Sequence, residues 1–104
     1  MSQFESIVAR MGTVTWSAGD ATAHAVALEG IDSVIGAYSG LISRSREEGD
    51  ALRTEALLAE RRRWSGRRRD IHVSDRAGVD RLIQTAADRL ALLRTDSRAA
   101  GPDQ

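Results

Sequence analysis

Arginine supplies every side chain of permanent positive charge in this sequence, 15 in all. Arg61, Arg62, Arg63, Arg67, Arg68 and Arg69 fall within nine positions, around a central Trp64-Ser65-Gly66. A guanidinium presents a rigid fork of donors suited to phosphate or carboxylate, and an indole among such groups could stack on an exposed base. The same cations also have a use that needs no ligand. At a helix C-terminus they complement the macrodipole, and they can pair with acidic side chains of the same or a neighbouring chain. The distribution of charge favours this second use. Residues 1–60 hold four Arg against nine Asp/Glu, a net of −5, and residues 61–104 hold eleven against six, a net of +5. The whole chain is therefore neutral, whereas a dedicated nucleic-acid binder is usually basic overall. Glu47, Glu48 and Asp50 of a neighbouring chain, or the acids of another partner, are the groups expected to meet the cluster.

Other chemistry has little to build on. His24 and His72 are the only histidines, and neither has a carboxylate or second His at ligand spacing. No metal site is assigned, and His24 reads as a seam or cap residue. There is no Gly-x-Ser-x-Gly and no Gly-rich phosphate loop, so no catalytic or cofactor-binding residue is assigned either. The absence of Cys excludes disulfides, thiolate ligands and Cys nucleophiles. The expectation is a non-enzymatic protein without a cofactor. Neither Lys nor Asn occurs, a bias that fits the high-GC coding of a bacterium or its phage.

These side chains must be positioned by helices. His24, Leu28, Ile31, Ile35, Tyr38, Ile42, Ser45, Gly49, Leu52, Ala56 and Ala59 alternate in steps of four and three, an a/d seam widened by Val34, Leu41 and Leu57. The spacing predicts one long helix over 20–64, with Asp20 as its N-cap. Gly49 leaves an alternative: it is either a tolerated mid-helix glycine or a C′ residue, with Asp50 capping a fresh helix. Thr22–Glu29 also reads two ways, as helix or as the return strand of a hairpin begun at Val14 and Trp16. A basic bend follows over 65–74. A second helix, capped by Ser74 or Asp75, runs over 75–98 with Val79, Leu82, Ile83, Ala86, Leu90 and Leu93 on one face. The N-terminal segment 1–19, with Phe4, Ile7, Val8 and Met11 on one face of a short helix, is expected to fold back on the pair, and 99–104 to fray. Gly36 and Gly40, with Ser33, Ala37 and Ser43, put small residues on one flank, which permits close approach of another helix or a symmetry mate.

Trp64 and Gly66, at the end of one helix and before another, resemble the Trp-x-Gly triplet of the small helical-hairpin substrates of type VII secretion. That resemblance covers residues 20–98. It implies a hairpin with Trp64 and Gly66 at the bend, pairing into a four-helix bundle and signal-independent export. Its C-terminal Tyr-x-x-x-Asp/Glu motif is absent, since Tyr38 is followed four residues on by Ile42.

The expected fold is thus all-α, an antiparallel helical hairpin in a single domain that assembles into a helical bundle. Leu28, Ile31, Ile35, Tyr38, Ile42 and Leu52 are the expected oligomer interface. The expected function is a helical assembly or adaptor protein, acting on itself or on a helical partner. The alternative is an arginine-rich nucleic-acid-binding module. The apolar run around Ile31–Ile42 falls short of the ~20 residues of a spanning helix, so no membrane span is expected. Met1–Arg10 lacks the regions of a signal peptide, so the expected localisation is cytoplasmic.

Overall fold

A computed structural model describes residues 17–99 as three helices: α1 (Ala18–Glu47), α2 (Ala51–Asp70) and α3 (Arg76–Ala99). The expectations for residues 1–16 and 100–104 lie outside the described residues. The fold is all-α, and no strand occurs among the described residues. Thr22–Glu29 is helix, not the arm of a hairpin.

Helix α1 begins in a capping box rather than at Asp20. The Ser17 hydroxyl accepts from the Asp20 N–H at 3.1 Å, and the Asp20 carboxylate accepts from the Ser17 N–H at 3.1 Å. Asp20 is therefore the N3 partner of the cap. The Ser17 N–H and Arg76, 3.0 Å away, hold its carboxyl below the ordinary aspartate range.

The long helix expected over 20–64 is two helices. Gly49 adopts φ 72°, in the left-handed region where a Cβ is strained. The Asp50 N–H donates to the Ser45 carbonyl and the Gly49 N–H to that of Arg46, both at 3.0 Å. This is a Schellman closure, and it satisfies carbonyls that the ending helix would leave open. Asp50 then caps α2, accepting from the Arg53 N–H at 3.0 Å. The reversal explains a polar residue in the apolar seam. Ser45, 2% exposed, donates to the Asp50 carbonyl at 3.0 Å and lies 2.7 Å from the Thr54 hydroxyl. Gly49→Ala is expected to lower stability by about 1 kcal/mol, because Ala must take up a left-handed conformation. Denaturant unfolding measures this, and a gain in stability would contradict the reversal.

Because the chain turns back, α2 packs antiparallel on α1 in a new phase. Thr54 meets Ser45, Arg61 meets Ser39, and Arg68 meets Asp32. The buried or half-buried face of α2 is Thr54, Leu57, Arg61 and Trp64, not the extrapolated Leu52 and Ala56, which are exposed. Helix α2 also runs on through the expected bend. Ser65 and Gly66 lie inside it, and the chain turns at 71–75. Asp75 caps α3 by accepting from the Gly78 N–H at 3.0 Å.

Helix α3 returns alongside α1 in the same direction. Arg76 pairs with Asp20, a Cβ built on Gly30 would lie 3.3 Å from that of Ala86, and Arg89 donates to the Tyr38 hydroxyl at 3.0 Å. Helices α2 and α3 are tied at their edges by Arg53–Asp96 at 3.0 Å. The core collects Ile31, Val34, Tyr38 and Leu41 of α1, Trp64 of α2, and Ala86 and Leu93 of α3. A smaller cluster joins Ala23 and Ala27 to Val79. By length and composition alone α1 is apolar enough to cross a membrane, with mean hydropathy 1.3. The expectation from the Ile31–Ile42 run missed this because it left out the flanking Ala and Gly residues. In this fold the large apolar residues of α1 other than Val26 turn into the bundle or its edge, and Glu29, Asp32 and Arg46 face outward.

Candidate interaction surfaces

The arginine cluster occupies the last three turns of α2, where cations complement the negative end of the helix. Much of it is used within the chain. Arg61 donates to the Ser39 hydroxyl at 2.9 Å, and Arg68 reaches Asp32 with a second-nitrogen contact, at 2.8 and 3.4 Å. That contact holds the Arg68 guanidinium above its already high ordinary pKa. Arg63 pairs with Glu60 one turn earlier, and Arg67 lies over the Trp64 ring, 4.4 Å from its centroid. Arg62 and Arg69 are exposed and have no partner among the described residues. Within the chain the cluster's acidic partners are Asp32 and Glu60. Glu47, Glu48 and Asp50 sit at the opposite end of α2, beside the chain reversal.

Trp64 is 1% exposed, so its indole is core and presents no face to a base. It owes this position to the i, i+3, i+4 spacing of Leu57, Arg61 and Trp64 on the inner face of α2. Gly66 is half-buried within the same helix and marks no bend. The triplet therefore does not sit where the secretion-substrate resemblance implies it should.

The six seam residues expected at an interface separate into two sets. Ile31, Tyr38 and Ile42 are 0%, 2% and 1% exposed, and Leu28 and Ile35 are half-buried, all within one chain. Their partners are α2 and α3. Leu52 stands apart, 86% exposed at the start of α2.

A surface that the seam analysis missed lies between α1 and α3. Two hollows of about 300 and 240 Å³ open along it. The first is lined by Val26, Glu29, Gly30 and Ser33 of α1 and Ile83, Ala86, Ala87 and Leu90 of α3. The second lies towards the C-terminal ends of both helices, among Ala37, Gly40, Leu41, Arg44, Leu93 and Arg94. The flank of small residues on α1 was the available signal. A Cβ at Gly36 or Gly40 would meet nothing within 4 Å, so no helix of this chain uses that closeness, whereas Gly30 does abut α3. A third hollow, about 370 Å³, lies between the end of α2 and α3 and is rimmed by Arg67, Asp70 and Arg81.

His24 is half-buried with Nε2 3.4 Å from the Ile71 carbonyl, which ties α1 to the turn before α3, and His72 is exposed. Among the described residues no three His, Cys, Asp or Glu side chains come together as a metal site would require. Compared with protein families, curated proteins and solved structures, the chain matches none of them.

Proposed function

We propose that this protein is a non-enzymatic helical assembly or adaptor protein that engages a helical partner along the groove between α1 and α3. The observation that carries the proposal is the groove itself. Val26 is 45% exposed there, beside half-buried Ile83 and Leu90, whereas the other large apolar side chains of α1 are buried or half-buried. Apolar surface laid out along two parallel helices suits the apolar face of a third. The type VII resemblance adds little to this reading, because its hairpin bend is occupied by residues of a continuous helix.

The alternative is an arginine-rich nucleic-acid-binding module. Its support is the pair Arg62 and Arg69, two turns apart on the outer face of α2. Against it stand the neutral chain, the ion-paired Arg68 and the enclosed Trp64.

Salt separates the two readings. Light scattering coupled to size-exclusion chromatography is expected to find an association that persists at high salt, because apolar burial drives it. The protein is expected to leave short DNA and RNA unshifted at physiological salt. Retention of either at micromolar protein would reverse the order of the readings. In that event Arg62→Ala with Arg69→Ala should flatten the slope of log affinity against log salt by about 2.

A further inference from the structure

Helix α2 turns Thr54, Arg61 and Arg68 to α1 and is tied to α3 at its edge, by Arg53–Asp96 and by Glu60–Arg89 at 3.9 Å. Opposite that inner face lie Leu52, Ala59 and Gly66, seven residues apart and so close to one line along the helix. Leu52, at 86%, is the most exposed large apolar side chain among the described residues. A Cβ at Gly66 would meet only the tip of the Arg69 side chain, 3.7 Å away. Glu55 and Arg62, again seven apart, follow one flank of this line. Both are exposed, and neither has an ion pair among the described residues.

We infer that the outer face of α2 pairs with the same face of a second copy, antiparallel about a twofold axis at Ala59. This goes beyond the adaptor reading, because it uses another surface and leaves the groove between α1 and α3 free. Charge complementarity sets the register. A twofold that reverses the helices keeps each flank on its own side. Glu55 of each copy therefore faces Arg62 of the other, offset by about 1.5 Å along the axis. The same axis brings each Leu52 level with Gly66 of the mate, where the missing side chain makes room. The contact is isologous, so each of these pairs is made twice. Other arrangements set like against like. A parallel copy places Glu55 on Glu55 and Arg62 on Arg62. Sliding the antiparallel mate by one heptad brings Arg62 to Arg62 one way and Glu55 to Glu55 the other.

Sedimentation equilibrium of the full chain tests this with Glu55→Arg, Arg62→Glu and the double reversal. Both side chains are exposed, so the fold is not at risk. The unmodified protein is expected to dimerise at low salt and to dissociate progressively as salt rises, because exposed ion pairs are screened. Each single reversal should weaken the low-salt dimer on the order of tenfold, and the double reversal should restore it. A second measurement uses the lack of native cysteine. Ala59→Cys should oxidise to a covalent dimer. Arg69→Cys should not, because its mate would lie about 30 Å away, against the ~7 Å that a disulfide tolerates between Cα atoms. A monomer at every concentration would overturn the inference and leave this face to a different partner. Failure of the double reversal to rescue, or equal crosslinking at Arg69, would overturn it as well. So would an association that survives high salt and ignores both reversals, which would belong to the groove of the adaptor reading instead.

Discussion

Trp64→Ala is expected to unfold most of the population at moderate temperature. The indole is 1% exposed and is the largest side chain in the core that α2 shares with α1 and α3. Removing a buried Trp side chain typically costs about 3–5 kcal/mol, from lost transfer energy and the cavity left behind. A domain of this size has only about 5–15 kcal/mol in hand. Arg67 also loses the ring it lies over, though an exposed cation contributes under about 1 kcal/mol by that contact. Thermal unfolding followed by far-ultraviolet circular dichroism should show a midpoint lower by roughly 15 °C or more. The nucleic-acid reading gives Trp64 another role, as a platform for bases. On that reading the variant would keep its melting temperature and lose only its ligand. A shift of a few degrees would therefore contradict the packing described here.

Ile31→Asp is the second large effect, and it separates a core from an interface. Ile31 is 0% exposed and packs in the cluster that includes Trp64 and Ala86. A carboxylate placed there has no cation or donor to receive it, and a buried polar group without partners costs several kcal/mol. Helical signal should collapse whatever the protein concentration. Had the seam been an oligomer interface, the same change would yield folded, dissociated subunits. Leu52→Asp is the control: that side chain is 86% exposed, and its replacement should stay within about 0.5 kcal/mol. Size-exclusion chromatography beside circular dichroism distinguishes unfolding from dissociation. A folded monomeric Ile31→Asp would return the seam to the role of interface.

Both predictions turn on a reversal that the seam alone did not reveal. Continued through Gly49, its four-and-three spacing places Leu52 and Ala56 on the same stripe as Ile42. With Gly49 at φ 72° the chain doubles back, and Thr54, Leu57, Arg61 and Trp64 become the inner face of α2. The local difference between the two courses is small. A mid-helix glycine costs about 1 kcal/mol, and a left-handed C′ glycine costs little because it lacks a Cβ. Burial of Trp64 and Leu57 against α1 is larger than that difference and decides the course. It is visible only once two remote segments are brought together.

The sequence by itself determined the all-α class, the phase of the inner face of α1 and the face of α3, and it narrowed the cap of α3 to Ser74 or Asp75. Each of these depends on side chains within about two turns of one another, where helical geometry ties spacing to direction. It also contained Asp50 as the cap of a fresh helix, one of two readings of Gly49. Tertiary structure decided which apolar stripe meets which. It enclosed Ile31, Tyr38 and Ile42 in the chain's own core, turned Trp64 inward within a continuous helix, and paired Arg68 with Asp32, 36 residues away. It also left an open groove between α1 and α3. These outcomes follow from the angle at which α2 leaves Gly49 and the side on which α3 returns. Both angles are set by how much apolar surface the three helices bury together, a quantity to which residues far apart in the chain contribute and which no local spacing contains.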